Sequence, residues 1–166
     1  MKKLFTIVAL SLATTLTVNA QKMATTEDKC GMEPTSFKVA DVDNYLQGAY
    51  KLGQLLDKLS ADLDQLEKDI ADAGPAPGAD KVAEFNSRAT ELENAYKSAG
   101  EEAERVAKLA EAASKGCANC GIKAPKCTKQ VGVATRCMSK FSNMIKADAS
   151  RAAKIKLKVE ALNATN

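Results

Sequence analysis

Three long stretches of the chain repeat an apolar residue at alternating spacings of three and four positions. The pattern covers ten positions in each of the stretches 42–73, 82–113 and 131–162, and Asp148 is its one polar member. A repeat of 3.5 residues keeps one side of a helix facing its neighbours along the whole length, because the helices supercoil around each other. The pattern therefore predicts three long helices whose apolar sides pack together.

The prolines and the length of each stretch set the limits of these helices. Proline clashes with the backbone inside a helix, and all four prolines lie outside the three apolar repeats. We therefore predict an all-α fold in which three long antiparallel helices form a coiled-coil-like bundle over residues 36–163, with a Cys-rich connecting loop. The predicted helices cover about residues 36–73, 80–115 and 126–163. A looser α-domain and a hairpin that completes its core in an oligomer are the alternatives.

Residues 1–20 have the features of a secretory signal peptide. Two lysines precede a short apolar stretch, and Val18 and Ala20 place small residues at the positions that signal peptidase reads. The stretch is shorter than the roughly 20 apolar residues that span a bilayer. We expect cleavage after Ala20, an N-terminal segment over 21–35 ahead of the bundle, and a periplasmic or secreted protein that is not membrane-spanning.

The composition excludes several classes of enzyme. The chain has no histidine and no tryptophan, and its aromatic content is 4%. Without histidine there is no Ser-His-Asp or Cys-His nucleophile system and no His-ligated zinc or haem. A core of small and aliphatic side chains also lacks the aromatic lining of most ligand pockets. We therefore predict a protein that is not an enzyme and has no cofactor.

The five cysteines are the most reactive side chains in the sequence: Cys30, Cys117, Cys120, Cys127 and Cys137. An antiparallel topology brings the first four to one end of the bundle. Disulfides are the default for cysteines in an exported protein, and we expect one long-range bridge from Cys30 and one within or from the Cys117–Cys120 pair. If the third helix includes Cys127, about 15 Å of helix prevents a bridge from Cys127 to Cys137.

Two other interpretations of the cysteines are open. Four thiolates suit tetrahedral zinc or an iron–sulfur cluster, and the set would be Cys117, Cys120, Cys127 and Cys137. The nine residues between the last two exceed the spacing of a second metal knuckle. The Cys-x-x-Cys pair could instead exchange disulfides, although no strand pattern provides a thioredoxin-like setting. The alternative function is therefore a periplasmic thiol protein that binds metal or exchanges disulfides.

Charge is strongly divided along the chain. Residues 21–114 carry 11 basic and 19 acidic side chains, whereas residues 115–166 carry 11 basic and 2 acidic ones. A basic face on the last helix predicts binding to an anionic envelope surface. The members of that basic face are Arg136, Lys140, Lys146, Arg151, Lys154 and Lys158. Aromatic residues do not alternate with these side chains as on a base-stacking surface, so no nucleic-acid partner is expected.

The heptad register favours a different use of these charges. With the first and third helices parallel, internal ion pairs would fix the register of the bundle. The acidic residues Asp62, Glu67 and Asp69 then lie level with the basic residues Arg151, Lys156 and Lys158. A carboxylate within an apolar repeat, as at Asp148, is expected to set register or to lie at an open position rather than to act in catalysis.

The sequence thus predicts an exported, non-enzymatic helical bundle. Its expected role is a periplasmic interaction, scaffold or chaperone-like one, in which the helix faces bind a protein partner or a second copy of the chain. Envelope-surface binding through the basic C-terminal helix is a further alternative.

Overall fold

The computed structural model describes residues 30–163, and these residues are almost entirely helical. Its elements are α1 (Ala40–Asp72), α2 (Ala79–Ala107), α3 (Ala110–Gly116), a 3-10 segment (Cys117–Lys123) and α4 (Ala124–Asn163). The residues from 30 to 163 contain no strand. The predicted all-α class is confirmed. The predicted signal peptide and residues 21–29 of the predicted N-terminal segment lie outside the described residues.

The predicted count of three helices is wrong, because the stretch predicted as one helix over 80–115 is divided into α2 and α3. Lys108 and Leu109 keep helical backbone angles, but the Leu109 amide bonds the carbonyl of Val106 rather than that of Arg105. Neither proline nor glycine marks this change of hydrogen bonding in the sequence. The regular α-helix is therefore interrupted at a point that the apolar repeat does not reveal.

The predicted connecting loop is also helical. Its 3-10 segment departs from helical angles only at Gly121, where φ is 56°. Glycine takes this left-handed conformation without the steric cost that a Cβ atom imposes. At the end of α3, a Cβ atom built on Gly116 would lie 3.2 Å from carbon atoms of both Val39 and Val42. The absence of a side chain there allows α3 to close over the start of α1.

Contacts between the long helices show their directions relative to one another. α1 and α2 are antiparallel, because Asp69 near the end of α1 binds Arg88 near the start of α2, and Gly48 near the start of α1 lies against Val106. α4 packs against both, antiparallel to α2 and parallel to α1. The pairs that define its direction are Glu93 with Lys156, Gly100 with Ile145, Tyr45 with Thr135, and Glu67 with Arg151. The long helices thus form a helical bundle.

The core of this bundle coincides with the apolar repeats. In each of the three repeats, all but one of the ten positions are buried, and the exceptions are Ala73, Ala110 and Leu162. Asp148 is among the buried positions. Complete burial of one leucine or valine side chain contributes about 1.5–3 kcal/mol, so the continuous apolar core is the main source of stability in this fold.

An added methyl group is expected to have opposite effects on stability at two glycines of the long helices. A Cβ atom on Gly53 would lie 2.9 Å from Cζ of the buried Phe141, whereas one on Gly100 would meet only Ile145, at 3.8 Å. We expect Gly53→Ala to lower the free energy of unfolding by about 1–2 kcal/mol through overpacking. Gly100→Ala should raise it by about 0.5–1 kcal/mol, because alanine favours the helix. Urea unfolding measures both, and a shift of the same sign in the two variants would contradict this packing.

Candidate functional site

Two disulfide bonds join the cysteines at one end of the bundle. Cys30 is bonded to Cys137, 107 residues away, with 5.6 Å between the Cα atoms. Cys117 is bonded to Cys127, ten residues away, with a Cα separation of 5.5 Å. Both separations lie in the usual range for disulfides. The fifth cysteine, Cys120, is a half-buried free thiol.

The two bridges hold different parts of the structure. We call residues 30–39 the strap and residues 117–127 the tip. The Cys30 bridge ties the beginning of the strap to α4, and Gln130 of α4 also donates a hydrogen bond to Thr35 in the strap. The Cys117 bridge closes the tip onto the first turn of α4. One bridge therefore fixes a segment that precedes the bundle, and the other fixes the turn between α3 and α4.

These bonds use sulfur atoms of the predicted metal ligands, which are Cys117, Cys120, Cys127 and Cys137. Three of their four sulfur atoms are in disulfides. The fourth, in the Cys120 thiol, lies 3.9 Å from the Gly116 carbonyl oxygen. Over residues 30–163 no group of three or more metal-binding side chains occurs. A disulfide sulfur is not a thiolate ligand, so in this bonding state the four cysteines do not form a tetrathiolate set.

A single carboxylate anchors the other end of the strap. Asp43, in the first turn of α1, accepts hydrogen bonds from the backbone amides of Phe37 and Lys38 and from the hydroxyl of Ser36. Lys38 adopts a left-handed conformation, with φ of 59°. Burial raises the pKa of Asp43, but the three hydrogen bonds outweigh it and hold the pKa below its usual value. Asp43 thereby joins the strap to α1.

Loss of this carboxylate should release the strap. We expect Asp43→Ala to cost about 1–2 kcal/mol, as for loss of a helix cap, and to speed hydrogen exchange at the Phe37 and Lys38 amides. Because the pKa of Asp43 is lowered on folding, its contribution is complete above pH ~4 and is lost as the pH falls through the folded value. Hydrogen exchange measured against pH tests this. Asp41→Ala, at an exposed position of the same turn, is the control and should leave both amides protected.

The charged residue within the core belongs to a network that joins all three long helices. Asp148 of α4 accepts a hydrogen bond from Tyr96 of α2, at 3.4 Å, and one from Arg151, at 3.1 Å. Arg151 also binds Asp64 and Glu67 of α1, at 2.7 and 2.9 Å. A buried carboxylate is costly unless it is paired, and these contacts supply the partners. Asp148 therefore lies at a buried, paired position rather than at an open one, and its role in setting the register stays a prediction.

Two groups of this network, the Tyr96 phenol and the Arg151 guanidinium, have raised pKa values. Burial and the negative charge of Asp148 raise the pKa of Tyr96 well above its usual value. Burial alone would lower the pKa of Arg151, but the hydrogen bonds that Arg151 donates to Glu67 and Asp64 outweigh this effect and raise its pKa above the usual value. A phenol that stays neutral and a guanidinium that stays charged suit structural pairing rather than proton transfer near neutral pH.

The ion pairs differ from those that the aligned heptads predict. Arg151 binds Asp64 and Glu67 of α1, whereas the register places it level with Asp62. Asp69, however, binds Arg88 of α2, and Lys156 binds Glu93 of α2. The antiparallel turn brings the end of α1 beside the start of α2, so α2 competes with α4 for these charges.

The six predicted members of the basic face lie on more than one side of α4. Arg151 is turned toward α1, and Lys146 lies beside α2. The remaining four, Arg136, Lys140, Lys154 and Lys158, are exposed. The basic C-terminal helix therefore does not present all six charges to a single surface.

An open groove lies between α2 and α4, with a volume of about 570 Å³. Its lining includes Tyr96, Gly100, Ile145 and Ala149, with Lys97 and Lys146 also beside it. Gly100 leaves room because it has no side chain. The groove therefore combines apolar lining residues with charged ones of both signs, Lys97, Lys146 and Glu93.

The sequence reasoning missed Asp43 and Ile122. Ile122, in the tip, is 100% exposed, although isoleucine is among the residues most often buried. Its position just after the Cys117-Ala-Asn-Cys120-Gly turn was the available signal, since an apolar residue there falls outside all three repeats.

No protein-family model, no curated protein and no solved structure matches this chain. Among the described helices, none has the length and apolar character needed to cross a membrane. The residues of the chain itself are therefore the basis for a functional proposal.

Proposed function

We propose that the protein is exported and acts as a non-enzymatic interaction or scaffold protein in the periplasm or outside the cell. The Cys30–Cys137 bridge carries the proposal, because it joins segments 107 residues apart, and stable disulfides form in oxidising compartments. The signal-peptide features of residues 1–20 point to the same compartment. The long helices offer charged outer faces for a partner.

We also infer that α1, α2 and α4 supercoil in the manner of a coiled coil. The support is the burial of the three-four repeat on all three helices, which straight helices cannot maintain over many heptads. An experimental structure with knobs-into-holes packing along the repeats is the expected result. Packing through other helix faces would contradict this inference.

Export is tested by expressing the full chain in a Gram-negative host and separating the periplasm by osmotic shock. We expect the protein in that fraction with Gln21 at its N-terminus, since cleavage follows Ala20. A variant with Leu10→Arg in the apolar part of the signal should stay in the cytoplasm and keep its first residues. A native chain that remains unprocessed in the cytoplasm would contradict the proposal.

The interaction role is tested with a photoreactive amino acid on each outer surface of the bundle. Suitable exposed positions are Lys58 on α1, Lys97 on α2 and Lys154 on α4. We expect at least one position to give a discrete adduct on illumination of living cells, and the mass of the adduct distinguishes self-association from another partner. Illumination that yields no adduct at any of the three positions would contradict the proposal.

One observation favours the thiol alternative. Cys120 is unbonded and stands three residues from the bonded Cys117, which is the spacing of a Cys-x-x-Cys pair. If disulfide exchange were the function, the purified protein would reduce or oxidise a dithiol substrate, and Cys120→Ser would abolish that activity. The structural role instead predicts no such exchange and an unchanged fold in Cys120→Ser.

A further inference from the structure

The tip presents an apolar side chain that makes no contact with the rest of the protein. Ile122 is 100% exposed, whereas most large apolar side chains of the described residues lie in the core. Gly121 turns the chain just before it, and the Cys117–Cys127 bridge closes the base of the turn. The isoleucine is therefore held outward by a cross-linked turn, and binding would require little ordering of the chain.

The part of the sequence that contains this side chain carries charges of one sign. Residues 112–147 contain seven basic residues and no acidic one. Lys123 and Lys126 follow Ile122 in the tip, and both are exposed. Lys115, which precedes the tip, is paired with Glu111 at 2.6 Å. The outer part of the tip thus combines one exposed apolar side chain with two exposed cations.

We propose that the tip docks onto an anionic lipid bilayer. In this arrangement Ile122 enters the boundary between headgroups and acyl chains, and the ammonium groups of Lys123 and Lys126 bind lipid phosphates. Apolar insertion combined with attraction to anionic lipid is the basis of binding by peripheral proteins. This proposal does not depend on the proposed function.

A bilayer fits the tip better than other anionic partners do. Residues 117–127 contain no aromatic side chain on which a nucleic-acid base could stack. A single projecting isoleucine needs an apolar layer to enter, and a bilayer offers one at every point of its surface. On the predicted C-terminal basic face, Leu157 between Lys154 and Lys158 is 66% exposed, against 100% for Ile122, and Arg151 is held by α1 carboxylates.

The test is co-sedimentation of residues 21–166, which include every described residue, with sucrose-loaded vesicles. Vesicles of phosphatidylcholine with one third phosphatidylglycerol should bind the protein at low salt, and pure phosphatidylcholine should bind far less. Binding should weaken as salt screens the charges. Replacing Lys123 and Lys126 by glutamine should reduce the partition coefficient roughly fivefold per lysine. Ile122→Ser should reduce it about tenfold.

Matched controls on α4 locate the effect. Leu157→Ser removes another exposed apolar side chain, 66% exposed, and the pair Lys154→Gln and Lys158→Gln removes two exposed cations outside the tip. Both controls should bind like the native chain, and circular dichroism should be unchanged in all variants. The proposal is overturned if anionic vesicles fail to bind the native chain, if binding survives the tip substitutions, or if the control substitutions weaken it equally.

Discussion

Replacing both Cys30 and Cys137 by serine is expected to lower the free energy of unfolding by about 4–5 kcal/mol. The bridge closes a loop of 107 residues. In the chain-entropy model, closing a loop of about 100 residues lowers the entropy of the unfolded state, which stabilises the folded state by roughly this free energy. Such a loss is a large part of the 5–15 kcal/mol that stabilises a typical domain. Guanidinium unfolding of the native and variant chains measures it.

The second bridge and the free thiol provide matched comparisons. The Cys117–Cys127 bridge spans ten residues, so its removal should cost less, about 2–3 kcal/mol. Cys120→Ser, which breaks no bond, should change stability by less than about 0.5 kcal/mol. An equal loss for all three variants, or a larger loss for the short bridge, would show that the long bridge does not dominate stability.

Removing Arg151 from the buried network is expected to have the second-largest effect. Arg151→Met keeps much of the side-chain volume but leaves Asp148, Asp64 and Glu67 without their shared cation. Breaking a fully buried ion pair costs about 3–5 kcal/mol. Because the Arg151 side chain is 29% exposed, we expect a smaller loss of about 2–3 kcal/mol, measured by urea unfolding.

A double-mutant cycle with Asp148→Asn isolates the buried part of this effect. Asparagine has the shape of aspartate without its charge, so the cost of leaving a carboxylate unpaired disappears. Arg151→Met should then cost only about 1 kcal/mol, which reflects the partly exposed pairs with Asp64 and Glu67. A coupling energy near zero would mean that Asp148 does not depend on Arg151.

The apolar repeat was sufficient to predict the core because burial follows directly from helical spacing. The repeats that begin at Val42, Val82 and Val131 are buried at nearly every position. The interruption at Lys108 and Leu109 was not predictable, since both residues keep helical backbone angles. What changes there is the hydrogen bonding, and no residue type marks that change.

The partners within the candidate site were predicted less completely than the core, because they depend on tertiary contacts. A long-range bridge from Cys30 was expected, but its partner depends on the path of the strap, which the hydrogen bonds of Asp43 and Gln130 direct along α1 and α4. Asp69 was placed opposite α4 by register alone. It binds Arg88 instead, because the turn brings α2 equally close.

Disulfide mapping of protein recovered from the periplasm is the most direct test of the central claim, an exported bundle locked by a long-range bridge. Free thiols are alkylated before digestion without reduction, and the linked peptides are identified by mass spectrometry. The account predicts linked peptides for Cys30 with Cys137 and for Cys117 with Cys127, and alkylation at Cys120 alone. Alkylation at Cys30 and Cys137, or a link between either of them and another cysteine, would contradict it.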